Sequence, residues 1–79
     1  MFTLECAQYV ANRLEEEGYE GDVREDYSGR GMYGKTAVAI CTDAPGTLIG
    51  MFVGEYNAQG FDARPPTRTD SMGLGRVFY

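Results

Sequence analysis

Apolar residues recur three and four positions apart at Leu4, Cys6, Ala7, Val10, Ala11 and Leu14, the spacing of one helix face. Thr3 precedes the stripe as an N-cap, and Glu5 lies near the positive end of the helix dipole. Gly18 predicts a left-handed C-cap, with Tyr19 folding back onto Leu14 in a Schellman-type contact. From Gly21 to Tyr27 the pattern becomes a weak, mostly polar alternation, which predicts an edge strand. Lys35 to Thr42 is apolar on both faces and rich in strand formers, as a central strand requires. Asp43 to Gly46 interrupts it, with Pro45 suited to the first turn of a helix. A second helix is expected from about Gly46 to Gln59, with the stripe Leu48, Ile49, Phe52, Val53 and Tyr56, before Gly60 caps it and Phe61 follows.

The two helices match at a constant offset of 42 residues. Cys6, Ala7, Val10, Ala11 and Leu14 fall on Leu48, Ile49, Phe52, Val53 and Tyr56, and Gly18-Tyr19-Glu20 falls on Gly60-Phe61-Asp62. Each unit continues with a polar segment, a glycine-rich turn (Ser28 to Gly34, then Ser71 to Gly75) and an apolar strand. Residues 1–79 therefore read as one α+β domain with an αββαββ order, built from two units at about 1–42 and 43–79. Moving the last strand to the front gives βαββαβ, so the expectation is a circularly permuted ferredoxin-like fold. It has a four-stranded antiparallel sheet in the order 1-2-4-3, with both helices on one face. "AVAI" and "RVFY" suit the central strands; "DVRED" and a third strand carrying Pro65-Pro66 suit the edges.

Gly29 to Thr36, "GRGMYGKT", fits the phosphate-loop pattern G-x-x-x-x-G-K-[ST]. A phosphate loop follows a buried strand and opens a helix. Here a polar segment precedes it and strand formers follow, so the loop reads as a hairpin in which Gly29, Gly31 and Gly34 permit positive φ. Arg30, Met32 and Tyr33, set among these glycines, are expected to be exposed, and their residue types are enriched at protein interfaces.

The net charge of −5 is unevenly placed. Residues 1–34 hold eight acids and three arginines, whereas residues 35–79 hold four acids and four bases. The excess gathers at Glu15, Glu16, Glu17, Glu20, Asp22, Glu25 and Asp26. Such an arc repels nucleic acid and attracts basic protein surfaces, and it equally suits a solvated helix end kept soluble by charge. Arg64, Arg68 and Arg76 could line one edge near Phe78 and Tyr79, a nucleic-acid signal that the net charge opposes. Without histidine there is no Cys/His zinc site and no His-based triad; Cys6 and Cys41 read as reduced, buried thiols. No cofactor, metal or catalytic set is expected. No apolar run approaches the roughly 18 residues of a membrane span, and the first residues lack a signal-peptide pattern, so the expectation is a soluble cytoplasmic protein, monomer or homodimer.

At "EDYSGRGMYGKT" and "TDSMGLGRVFY" the chain resembles short proteins carried by phages and mobile elements, and among these an anti-CRISPR inhibitor of type I surveillance complexes, such as type I-C. The likeness spans most of the chain but rests on these two glycine-rich turns. It implies a non-enzymatic inhibitor that binds a crRNA-guided complex and blocks target DNA. No family motif carries contact residues over. The residues that fit a partner surface on the chain's own chemistry are the acidic arc with Arg30, Met32 and Tyr33. The alternative is a small structural or regulatory module that dimerises or binds a ligand through its open sheet face.

Overall fold

A computed structural model describes residues 2–25, 38–72 and 75–79, the side chain of Met72 excepted. The element order is α1 (Leu4–Glu16), β1 (Asp22–Arg24), β2 (Ala39–Thr42), α2 (Gly46–Asn57), β3 (Thr69–Met72) and β4 (Gly75–Phe78). The strands form one antiparallel sheet in the order β1-β2-β4-β3, the topology the sequence pattern predicts.

Local chemistry sets the ends of α1. The Thr3 hydroxyl accepts a hydrogen bond from the Cys6 amide at 3.2 Å, satisfying one of the free N–H groups of the first turn. At the other end Gly18 takes φ +91°, and the Tyr19 and Gly18 amides donate to the carbonyls of Leu14 and Glu15. That is the full Schellman pattern, with Tyr19 packed against the core. Gly60, at the equivalent place after α2, takes φ +105°. Pro45 is the N-cap residue of α2 (φ −60°, ψ 142°) and lies outside its first turn, because Thr42 and Ala44 first close a turn in which the Ala44 amide donates to the Thr42 hydroxyl. The helix ends at Asn57, two residues before the predicted end.

Strand alternation sorts the sheet into two faces. Val23, Ile40, Phe78 and Thr69 lie in one row across all four strands. Ile40 and Phe78 enter the core with Cys6, Ala7, Val10 and Leu14 of α1 and Ile49, Phe52 and Val53 of α2, and Val23 packs against it. Both helices therefore cover the same face. The adjoining row of Asp22, Cys41, Val77 and Asp70 faces the other way.

Cys41 and Val77 are directly paired at the centre of the sheet, and their neighbours pair as Ile40 with Phe78 and Thr42 with Arg76. This arrangement is unchanged when the two units are exchanged, so a pseudo-twofold axis passes between β2 and β4. The units differ in how they reach it. β1 starts four residues after Gly18, whereas β3 starts nine residues after Gly60. Pro65-Pro66 lie in that longer approach and not inside the third strand, since proline has no N–H for a ladder. Ser71 and Met72, expected in the second turn, are strand residues, and Met72 pairs with Gly75. Gly21, Glu25 and Val38, expected in the first two strands, lie outside β1 and β2, and the other expected strand residues, at 26–27 and 35–37, lie outside the described residues.

Close approach of α1 to the first edge strand requires small residues. A Cβ on Gly21 would stand 2.9 Å from the Ala11 Cα, a backbone atom that cannot give way. Gly21→Ala is therefore expected to cost roughly 1–3 kcal/mol. Gly50→Ala, where a Cβ meets nothing within 4 Å inside α2, is expected to add about 0.5–1 kcal/mol by its helix propensity. Urea melts of the two variants check the pair of signs; equal stability would place Gly21 away from α1.

Candidate binding surface

Where α1 crosses α2, Arg13 meets Glu55, the residue 42 positions further on and thus its own counterpart in the second unit. The Arg13 Nε donates to Glu55 Oε1 at 2.9 Å and Nη2 to Oε2 at 3.3 Å, a two-pronged match of guanidinium to carboxylate. The Arg13 Nη1 donates to Glu16 at 2.6 Å, and the Tyr9 hydroxyl donates to Glu55 Oε1 at 3.1 Å. The guanidinium also lies 4.7 Å over the buried Phe52 ring. The hydrogen bonds from Arg13 hold the Glu55 carboxyl below the usual carboxylate range; partial desolvation opposes this, and the Tyr9 hydroxyl adds to it. The same contacts raise the Arg13 pKa. Tyr9 is raised by desolvation first and then by the Glu55 carboxylate.

Beside this network an aromatic group continues along the surface. Tyr9 and Tyr56 are tilted at 5.6 Å between ring centroids, and Tyr56 and Phe61 stack at 4.4 Å with 13° between planes. The loop that presents Phe61 is clamped: Asn57 Nδ2 donates to the Ala63 carbonyl at 2.7 Å, and the Ala63 amide donates to Asn57 Oδ1 at 2.8 Å. Phe61 remains 52% exposed and Met51, on the outer side of α2, 54% exposed.

Of the predicted partner residues, Glu15, Glu16, Glu17, Glu20, Asp22 and Glu25 are all exposed. They do not form one plane. Glu15 to Glu17 close the helix layer, whereas Asp22 stands in the row facing away from the helices and pairs with Arg24 at 3.1 Å. Glu16 is tied to Arg13, and the Glu20 amide donates to the Asp43 carboxylate at 3.1 Å. The arc thus wraps around the β1 edge. Asp26, Arg30, Met32 and Tyr33 lie outside the described residues. Arg68 and Arg76 do not share an edge surface. Arg76 stands on the helix side, over Phe78 and donating to the Ala44 carbonyl, while Arg68 continues the opposite row, with its amide bonded to the Tyr79 carbonyl. Cys6 is buried and Cys41 half-buried.

Sequence reasoning missed the Arg13–Glu55 network and the stack on Tyr56. The signal for the first was present: opposite charges at one repeat position, on helices that an axis brings together. Among the described residues no group of three or more His, Cys, Asp or Glu is placed to hold a metal ion, and no helix is long and apolar enough to cross a membrane. Compared with known proteins, the chain matches no family model, no curated protein and no solved structure.

The "GRGMYGKT" stretch lies outside the described residues, but the chain resumes at Val38, enters β2, and forms its next helix only at Gly46. Residues 38–45 thus hold no helix N-terminus for a phosphate. Calorimetric titration with ATP or GTP and magnesium is expected to be silent, and Lys35→Ala to leave stability unchanged. Micromolar binding abolished by Lys35→Ala overturns this reading.

The depressed Glu55 pKa makes a second prediction. Its contribution to stability is fully present above the unfolded value of about 4.3 and is lost as pH falls through the lower folded value. Glu55→Gln should therefore be less stable than wild type at pH 6, and the difference should shrink towards pH 3. Thermal melts across that range check it; a constant difference assigns the loss to packing alone.

Proposed function

We propose that the chain is a non-enzymatic inhibitor that docks its acidic end on a basic, nucleic-acid-binding protein surface. One observation carries the reading: six acidic side chains between Glu15 and Glu25 are exposed, around one helix end and the adjoining edge strand. Arg24, within this stretch, and Arg13, just before it, are each already paired with a carboxylate, so the field of the arc stays negative. Exposed charges of one sign contribute little to the fold, whereas they steer encounter with an oppositely charged partner. The resemblance at the two glycine-rich turns names the target class, a crRNA-guided type I surveillance complex such as type I-C. In that complex the arc would occupy the basic channel otherwise taken by target DNA. Arg30, Met32 and Tyr33 supply packed contacts in this reading, and the partner is protein, with no direct contact to nucleic acid or membrane.

The alternative, dimerisation or ligand binding through the open sheet face, has less in its favour. Ala39 and Val77, on that face, expose no surface, and among the described residues the exposed large apolar side chains, Met51 and Phe61, lie elsewhere. The acidic reading is tested by surface-plasmon kinetics on an immobilised type I-C complex. Glu15, Glu17 and Glu20 are reversed together to Lys, leaving the Arg13–Glu16 pair intact. Association is expected to slow at least tenfold at low salt and to lose most of its salt dependence, with dissociation little changed. Wild-type association at every salt concentration rejects the arc. Undiminished plasmid interference in cells that express the chain rejects the target.

A further inference from the structure

We infer that the ring of Phe61, backed by Tyr56, receives an arginine side chain of the basic partner; this rests on the acidic-arc reading and adds its anchor. Phe61 is half exposed yet held in place. Gly60 at φ +105° turns the chain, Asn57 clamps Ala63 with two hydrogen bonds, and Tyr56 covers one face of the ring at 4.4 Å. The 52% of Phe61 left exposed offers ring surface to a planar cation, and the ordering cost of presenting it is already met.

The neighbouring acidic arc favours a guanidinium as occupant. Glu55 is already paired with Arg13, and the exposed Asp62 is offset by Arg64, so the pull on a cation comes from the adjoining arc with its exposed Glu15 and Glu17. The platform is also continuous with the arc, through Phe61, Tyr56, Tyr9, Glu55, Arg13 and Glu16 in direct sequence of contact. The fold already makes the proposed contact internally: Arg13 lies 4.7 Å over Phe52 while Glu55 holds its nitrogens. A partner arginine on Phe61 repeats that arrangement at the surface. Arginine is preferred to lysine because a flat, weakly hydrated guanidinium stacks on a ring and a compact ammonium does not.

The test uses two fluorescein-labelled dodecapeptides, alternating Arg-Gly and alternating Lys-Gly, titrated by anisotropy into the full chain. Wild type should bind the arginine peptide several-fold more tightly, with chemical-shift changes at Tyr9, Tyr56 and Phe61. Phe61→Ala should weaken arginine-peptide binding about tenfold and erase the preference. Phe61→Leu, which keeps an apolar side chain without a ring, should lose the preference too and stands in if the alanine variant unfolds. The Lys reversal of Glu15, Glu17 and Glu20 should weaken both peptides yet keep the preference. If both Phe61 variants bind and discriminate as wild type does, the anchor is wrong while the arc stands. If the chain binds neither peptide, the anchor is wrong and the arc is judged by the surveillance-complex kinetics alone. Concentration-dependent dimerisation that Phe61→Ala abolishes assigns the platform to a second copy and overturns the proposal.

Discussion

The antiparallel pairing of β2 with β4 is the contact on which everything else rests. It is where the two αββ units meet in the sheet, and it sets their register to within a residue, because a shift by one would turn Ile40 and Phe78 away from the helices. With those two side chains fixed, the apolar stripes of α1 and α2 have one surface to cover. The helix crossing that results brings Arg13 onto Glu55. Both edge strands then fall outermost, where short polar segments can be tolerated.

The features legible in the sequence are those with a local cause. The α1 cap, the positive φ of Gly18 and Gly60 and the two stripes, Leu4 excepted, follow from residues within a turn of each other and are found as expected; Gly29, Gly31 and Gly34 lie outside the described residues. The sheet order followed from the repeat together with the polarity of the strands. Predicted boundaries moved where a second local demand competed with the first. Pro65-Pro66 shifted the third strand towards Arg68, and the Thr42 turn displaced Pro45 to the cap. The exposure of the arc was legible, because so many unpaired acids cannot be buried. Its division by the β1 edge was not, since the face that Asp22 takes depends on its pairing with Cys41.

The aromatic platform illustrates a different limit. Phe61 reads from the sequence as the partner of Gly60 in a cap, equivalent to Tyr19 after Gly18. Tyr19 does pack on the core in that role. Phe61 instead stacks on Tyr56, because the second unit has Tyr56 where the first has Leu14, and the larger ring fills the place and offers a flat face. Equal positions in two repeats thus acquire different uses through a single change of side-chain shape.

Arg13 and Glu55 carry this divergence to the axis itself. A residue on a twofold axis meets its own equivalent, so two identical halves would set arginine against arginine or glutamate against glutamate there. Neither unit can therefore pair with a copy of itself as well as it pairs with the other. The bridge acts as a label by which the halves recognise each other, and two separately produced αββ pieces of this chain would assemble as a heterodimer in preference to either homodimer.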